Sequence, residues 1–581
     1  MSQRKKKQAK KEKFTRKDVP IQELEAILDR AKVAPLSAPD HETLKAAVET
    51  LTTLTRELET KGASIRHLRK LIFGPNTEKM SWLFPDHRKQ GQTEPAVTAD
   101  PTNDTVAPDA SVEPTATVEP TATAQEETPS EAPKPKRKGH GRIGASAYEG
   151  AKKVKVPHPS LAHGDCCPYC KQGSKLRNLA DPSVIVRVTG MAPIAVLVYE
   201  MERLRCNTCE KVFTADAPEG VGKEKYDETA SSMVAVLRYG TGMPFNRLEE
   251  FQKNMGVPLP AGTQWGLVDE AADLLEPAFD ELILQAAQGT VVHNDDTTMK
   301  ILDVDREIQK EAAEGNSDGR TGMFTTGIMS TGDGHLIALF FTGRQHAGEN
   351  LADVLAKRSS ELGHPIQMSD GLDRNKPGAF ETLWANCMAH ARRKYVDAVD
   401  AFPEKCLHIL KILGKVFHFD AEARRLSMSP EERLLWHQTN SKPLMEELRK
   451  WFQEQFEQKE IEPNSELGAA IQYMTKRWDK LTLFLQVAGA PIDNNVCERA
   501  LKKAIRHRRN SLFYKTENGA RVGDLFMSLI HTAVLNGANP FDYLVALQRN
   551  FKDVKLHPGR WMPWTFRERL AELARAPEQT D

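Results

Sequence analysis

Residues 90–135 contain the near-repeat VEPTATVEPTAT and almost no large apolar side chains. Such a stretch cannot bury enough surface to offset the entropy of ordering it, so it reads as a flexible linker. The chain therefore cannot fold as one body. A shorter N-terminal part precedes the linker, and a globular body begins near Ser146 and runs on to the end of the 581 residues. That length also exceeds what one hydrophobic core supports, so several domains are expected.

Charge is arranged in blocks. The net charge is zero, yet residues 1–17 carry nine Lys/Arg against one Glu, and residues 92–133 carry nine Asp/Glu and no Lys/Arg. Residues 134–142 (KPKRKGHGR) turn basic again. Blocks of this kind are informative where their sum is not, because each basic block can meet an acidic polymer by itself. The longest apolar runs, such as His335–Phe341 and Ala192–Tyr199, fall far short of the roughly 20 residues that cross a bilayer. No apolar core follows the basic N-terminus, so it is not a secretory signal. A cytoplasmic or nucleoid-associated protein is expected.

The pattern of apolar residues divides the chain further. Residues 1–20 read as a disordered basic arm and 21–89 as a helical or coiled-coil segment. In the latter Leu44, Leu51, Leu58, Ile65 and Ile72 recur every seven positions. The alternate heptad positions Val48, Thr55, Gly62 and Arg69 are mixed, which leaves a dimer and a helical hairpin both open. The linker with its basic end spans 90–145, and short strands around two Cys-x-x-Cys turns occupy 146–220. Helical spacing (Met233, Val236, Leu237; Leu248, Phe251; Leu267, Ala271, Leu274) marks 221–289 as a helical domain, which with the Cys-x-x-Cys module and the basic arms is a candidate for binding DNA.

From 290 the pattern switches to strands: VVHNDDTTMKIL, MFTTGIMST and HLIALFFTG. A helix over Asn350–Leu362, the strand HPIQMSDG, another helix and the segment NCMAHARRKY follow. That order is the order of an RNase H-like α/β core, with its first part at 290–399. A charge-rich helical insertion (400–487) separates it from its last part at 488–550, which holds a helix from Asp493 to Arg509 and another from Asp524 to Gln548. Residues 551–581 form a C-terminal tail.

Two groups of residues carry chemistry. Cys167-Pro168-Tyr169-Cys170 and Cys206-Asn207-Thr208-Cys209 have the spacing that lets two tight turns complete a four-thiolate site, so one structural Zn²⁺ is expected there. Cys166 could replace Cys167, and His163 is a more distant alternative. Cys387, Cys406 and Cys497 are isolated and read as buried thiols. The second group is acidic. Asp295 lies in the first strand, where alternation aims it away from Asp296, and Asp370 ends the strand IQMSDG just before Gly371. Glu498 lies in the first turns of a helix on which Lys502, Arg506 and Arg509 share its face. A carboxylate beside a stripe of cations suits a metal site on a phosphate backbone. Taken alone, the same helix reads as an exposed one with an ordinary Glu498–Lys502 pair.

Together these motifs resemble the transposases of the Insertion Sequence 66 family, of the DDE class with an RNase H-like core. LRKLIFGPNTEKM, CPYC, CNTC, RYGTGMPFNRLEEF, HNDDT, TGRQHAGENLADVL, MSDG, CMAHARRKY and DNNVCERALKKAIRHRRNSLFYKTENGARVG occur in that family's order. The resemblance implies an insertion-sequence transposase that frees a 3′-OH at each transposon end by hydrolysis and joins it to target DNA by transesterification. It implies Asp295, Asp370 and Glu498 as the triad, holding two Mg²⁺ per site, for which Mn²⁺ can substitute. It also implies double-stranded DNA as partner, a homodimer or higher oligomer, and small accessory proteins of the same element. This chain departs from the family at Asp296, where Glu is usual, and at Asn294, where a small residue is common. Lys502, Lys503, Arg506, Arg508, Arg509, Arg392, Arg393 and Lys394 are expected to contact phosphates, and His293 and His390 to orient neighbours or fill the core. A nuclease of the same fold and a non-catalytic DNA-binding derivative are the competing readings.

Overall fold

The computed structural model describes residues 224–315 and 320–575 without interruption. Before them it describes only short pieces, among them the helix Ile21–Ala31 and a hairpin of Arg203–Arg205 with Val212–Thr214. The basic arm, the linker, the heptad segment beyond residue 45 and the four cysteines expected to hold zinc lie outside the described residues. The hairpin flanks the segment that carries Cys206 and Cys209, and its strands pair Arg205 with Val212.

The β-branched and aromatic runs seen in the sequence pair into one mixed sheet. Its strands are β1 (Val291–Thr298), β2 (Phe324–Gly332), β3 (His335–Gly343), β4 (Ile366–Ser369) and β5 (Leu383–Asn386), in the order β3-β2-β1-β4-β5. The first three are antiparallel neighbours, and β4 and β5 run parallel to β1. β2 and β3 are joined by Asp333-Gly334, both at positive φ (50° and 78°). That Asp-Gly pair makes a two-residue turn whose twist matches the strands it links.

Twelve helices of the body matter below. α1 (Glu228–Ala235), α2 (Phe245–Asn254) and α3 (Ala261–Ala287) precede the sheet. α4 (Leu302–Ala313) lies between β1 and β2, and α5 (Ala347–Leu355) between β3 and β4. α6 (Met388–Asp397) follows β5, and then come α7 (Pro403–Arg425), α8 (Pro430–Asn440), α9 (Lys442–Glu457) and α10 (Glu466–Lys476). α11 (Asn495–Ser511) and α12 (Glu517–Leu535) close the body against the sheet.

One core joins α1–α3, the sheet, α11 and α12; a second, around Tyr395, Phe452 and Phe484, belongs to α6–α10. The chain thus builds a helical body with its own core between β5 and α11. Its helices start where local chemistry starts them: Ser429 caps α8 reciprocally with Glu432, and Pro430 supplies the first turn.

Helix α12 covers the outer edge of β3 in an unusual way. The side chains of Asp524, Ser528, Thr532 and Asn536 accept hydrogen bonds from the backbone N–H groups of Thr342, Phe340, Ala338 and Leu336, at 2.6, 2.9, 3.0 and 3.3 Å. Four residues of helix rise about 6 Å and two residues of strand about 6.8 Å, so the two ladders stay in step. A sheet edge that could recruit another strand is thereby closed from within.

Three expectations are corrected here. α4 interrupts what read as an unbroken run of strands. The stretch after Asp370 that read as a helix is a 3₁₀ turn (Asp373–Asn375) followed by β5, and NCMAHARRKY contributes the end of β5 and most of α6. The helix expected over Asp524–Gln548 begins earlier, at Glu517, and is broken after Leu535. There Gly537 adopts φ of 70° and Asn539 caps a new helix at Pro540.

Candidate active site

Three elements bring carboxylates together. β1 is the middle strand, and its pleat sends Asp295 and Asp296 to opposite faces. Asp295 pairs in register with Gly327 of β2, so these two positions share a face. α11 packs on that face, because a Cβ on Gly327 would meet Leu501 of α11 at 3.0 Å and Cys497 at 3.6 Å. The missing side chain lets the helix approach the strand, and Glu498 in its first turn stands near enough for its charge to act on Asp295. Asp370 follows β4, the parallel neighbour of β1, and Gly371 at φ 82° turns the chain away.

The electrostatics of this face are uncompensated. Burial pushes the Asp295 carboxyl up to about 7, and the carboxylates of Asp370, Asp296 and Glu498 add to that rise, against one hydrogen bond from the Asp296 N–H. Acids crowded together without cations favour the neutral form, and such crowding is common where a site binds a cation or does proton chemistry. All three groups offer oxygen, the donor that Mg²⁺ prefers. Their donor chemistry suits a divalent cation, but among the described residues the three carboxylates do not gather within 4.8 Å of one another as Cys387, His390 and Glu498 do.

Asp296 contrasts with its neighbour. Its side chain is 1% exposed and carries two partners, His346 Nδ1 and Arg374 at 3.0 Å each. Arg374 and His346 both lie against the ring of Phe324. Asp296 is thus held in an ion-paired node on the α5 face.

A network of buried amides ties the three elements together. Asn294 donates to the Asn375 carbonyl at 2.9 Å, and the Asn375 side chain donates to Asp370 Oδ1 at 2.6 Å. The unusual Asn294 thereby links β1 to the loop that carries Asp370. Asn494, the residue before α11, accepts from His293 Nδ1 at 3.0 Å and donates to the Asn294 carbonyl at 3.3 Å. Burial lowers His293 to about 4, so it stays neutral and serves as a hydrogen-bonding strut. Tyr473 of the helical body donates to the Asp370 carbonyl at 3.2 Å.

A family model described as "Transposase IS66 family" matches residues 223–522, a span that includes all five strands and α11. The chain belongs to the IS66 transposase family. Membership in this family implies an enzyme that cleaves and transfers DNA. Similar chains occur in Sinorhizobium fredii (strain NBRC 101917 / NGR234). "Uncharacterized protein y4hP" is 25% identical over 69% of this chain and 74% of its own length. "Uncharacterized protein y4jD" is 28% identical over 59% of this chain and 66% of its own length.

The remaining predicted residues fall into separate settings on this IS66 framework. Lys502, Arg506 and Arg509 are exposed along α11, and Lys503 is half-buried. Arg508 turns inward and hydrogen-bonds Thr297 and Thr298 at the end of β1, including the Thr298 carbonyl. On α6, Arg392 is half-buried and Arg393 exposed, while Lys394 lies over the Tyr473 ring at 4.4 Å. Cys387, Cys406 and Cys497 are buried, as expected for isolated thiols, and Cys166 is exposed. Sequence reasoning missed Gly327, Asn494, Asn375 and Arg374. Only Asn494 left a trace, as the polar pair Asp493-Asn494 ahead of the Glu498 helix. Among the described residues no helix is long and apolar enough to cross a membrane.

Proposed function

We propose that this transposase cuts and joins DNA phosphodiesters at Asp295, Asp370 and Glu498, on an RNase H-like core. The observation that carries this is the placement of Asp370 and Glu498 on the face of β1 that carries Asp295, while on the other face Asp296 is paired with Arg374 and hydrogen-bonded to His346. The sheet order, with a helical body between β5 and the Glu498 helix, supports the RNase H-like reading.

Asp295, Asp370 and Glu498 would hold two Mg²⁺ ions, for which Mn²⁺ can substitute. Bound there, such ions lower the pKa of a water or 3′-OH nucleophile and offset charge on the leaving oxygen. The chain's own residues do the rest. Asn294, Asn375 and Asn494 hold the three carboxylates in mutual register. Asp370 has Oδ1 committed to Asn375 and the Leu372 N–H, which fixes the orientation of its other oxygen. Lys502, Arg506 and Arg509 extend from the site along one helix and would neutralise successive phosphates, with Lys503, Arg392 and Arg393 flanking them. Arg508 braces α11 against β1.

Cys167, Cys170, Cys206 and Cys209 hold one structural Zn²⁺, double-stranded DNA at the transposon ends and target is the substrate, and a dimer or larger assembly with accessory proteins of the element pairs the ends. The test is an assay of end cleavage and strand transfer, with and without Mg²⁺, for the full chain and for Glu498→Gln. Cleavage and joining that need Mg²⁺ and vanish in the variant, with DNA binding retained, are expected. Cleavage without joining would make the protein a nuclease, and neither activity would make it a DNA-binding derivative.

A further inference from the structure

Cys387 and His390 flank the first turn of α6, and the start of α11 brings Glu498 to them. Three side-chain donors, one sulfur, one nitrogen and one oxygen, lie within 4.8 Å of one another. His390 Nδ1 stands 3.8 Å from Glu498 Oε1, too far for a hydrogen bond. Ligand bonds of about 2.0–2.3 Å arranged tetrahedrally put donor atoms roughly 3.3–3.7 Å apart, so this group needs only a small closure to share one ion.

Two further observations point to a ligand. The His390 Nδ1 atom is itself buried and has no hydrogen-bond partner among the described residues. The Cys387 sulfur receives the backbone N–H of Asn494 at 3.3 Å and stands at the N-terminus of a helix. A backbone donor and a helix N-terminus both stabilise a thiolate once it forms. Without an ion, burial holds the thiol protonated, pushing it up to about 11.

We propose that Cys387, His390 and Glu498 form a second metal site, for a thiophilic divalent ion of the Zn²⁺ class, which competes with Mg²⁺ for Glu498. Sulfur and imidazole select Zn²⁺, Cd²⁺ or Co²⁺ over Mg²⁺. Binding breaks the Cys387 S–H bond, forms a sulfur–metal bond and releases one proton to solvent; no electron is transferred. His390 and Glu498 are each about one-third exposed and give the ion a way in. The competition clause rests on the catalytic reading of Glu498 above, whereas the binding site does not.

The closing experiment separates the two. The full chain, Cys387→Ser and His390→Ala are dialysed against micromolar Zn²⁺ in millimolar Mg²⁺, and bound zinc per chain is measured. Folding is checked by thermal unfolding, and the partly exposed His390 provides the variant with the smaller risk of misfolding. The full chain is expected to hold one Zn²⁺ more than either variant, whatever the cysteines near 167–209 retain. With Co²⁺ in place of Zn²⁺, part of the thiolate charge-transfer absorption should disappear in Cys387→Ser. Equal metal content in all folded proteins overturns the site. Zn²⁺ should also inhibit Mg²⁺-supported cleavage, at a concentration about tenfold or more below that needed against His390→Ala. Extra zinc bound with the same inhibition in both proteins overturns the competition. Failure of the catalytic reading would appear separately, as cleavage that survives Glu498→Gln.

Discussion

The two faces of β1 receive the same side chain and treat it in opposite ways. Asp296, on the α5 face, is closed off and paired with Arg374 and His346. Asp295, one residue earlier on the α11 face, meets Asp370 and Glu498 and is raised to about 7. A fold selected only for stability would compensate both. On the proposed reading, the difference separates a carboxylate that holds the structure together from one kept at a cost in stability to hold a cation.

That contrast can be broken first through stability. Asp296→Asn removes a charge facing Arg374 and His346 and should lower stability by about 2–3 kcal/mol, at the modest end for a buried pair because Arg374 is 42% exposed. Asp295→Asn should raise the melting temperature of the metal-free protein by a few degrees, since it relieves repulsion from Asp370 and Glu498. Thermal unfolding without divalent ions checks both. Two shifts of the same sign would end the distinction between the faces.

The next effect concerns how the α11 face is built. Gly327→Ala places a methyl group against Leu501, so that side chain, or the Glu498 helix that carries it, must give by a few tenths of an ångström. Cleavage should fall roughly tenfold or more while DNA binding is unchanged, because the triad's geometry loosens. Undiminished cleavage would mean that the close approach at Gly327 is only packing.

A third buried acid sharpens the comparison. Burial pushes Asp524 up to about 7, opposed only by the N–H and hydroxyl of Thr342, both neutral. The folded state keeps this proton when the unfolded chain has already lost its own, so stability contributed below the unfolded carboxyl pKa is lost as pH rises towards 7. Asp524→Asn can accept the same N–H and donate to the Thr342 hydroxyl. It should therefore gain stability relative to the parent by about 2–3 kcal/mol between pH 5 and pH 8. A difference that does not change with pH would show that Asp524 is ionised throughout.

The smallest effect lies along α11. Arg506→Ala and Arg509→Ala should each reduce the slope of log affinity against log salt by about one unit, equally for specific and unrelated DNA. Arg508→Ala, which loses hydrogen bonds to Thr297 and Thr298, should lower stability and leave that slope alone. An unchanged slope for Arg506 and Arg509 would make the exposed side of α11 an ordinary solvated helix face.

Much of this architecture was readable because it is local. The alternation around Asp295 and the Glu498 helix are set by residues a few positions apart. What escaped reading depends on distant partners. Asp296 finds His346 fifty residues away, Asn494 reaches His293, and four polar residues of α12 pair with β3. In the sequence a buried amide and an exposed one look alike. β5 was missed because four residues carry little pattern, and α4 because its apolar start continues the strand before it. The Zn²⁺ site expected at Cys167, Cys170, Cys206 and Cys209 lies outside the described residues.

The most direct test of the account sets Asp295→Asn beside Asp296→Asn in one Mg²⁺-supported cleavage assay, at a temperature where both proteins are folded and bind DNA. Asp295→Asn should lose cleavage by about a thousandfold or more, the loss expected when a metal-holding carboxylate goes. Asp296→Asn should keep activity within roughly tenfold of the parent, since it acts only through packing. Equal loss in both, or greater loss at Asp296, would contradict the assignment of the α11 face as the catalytic one.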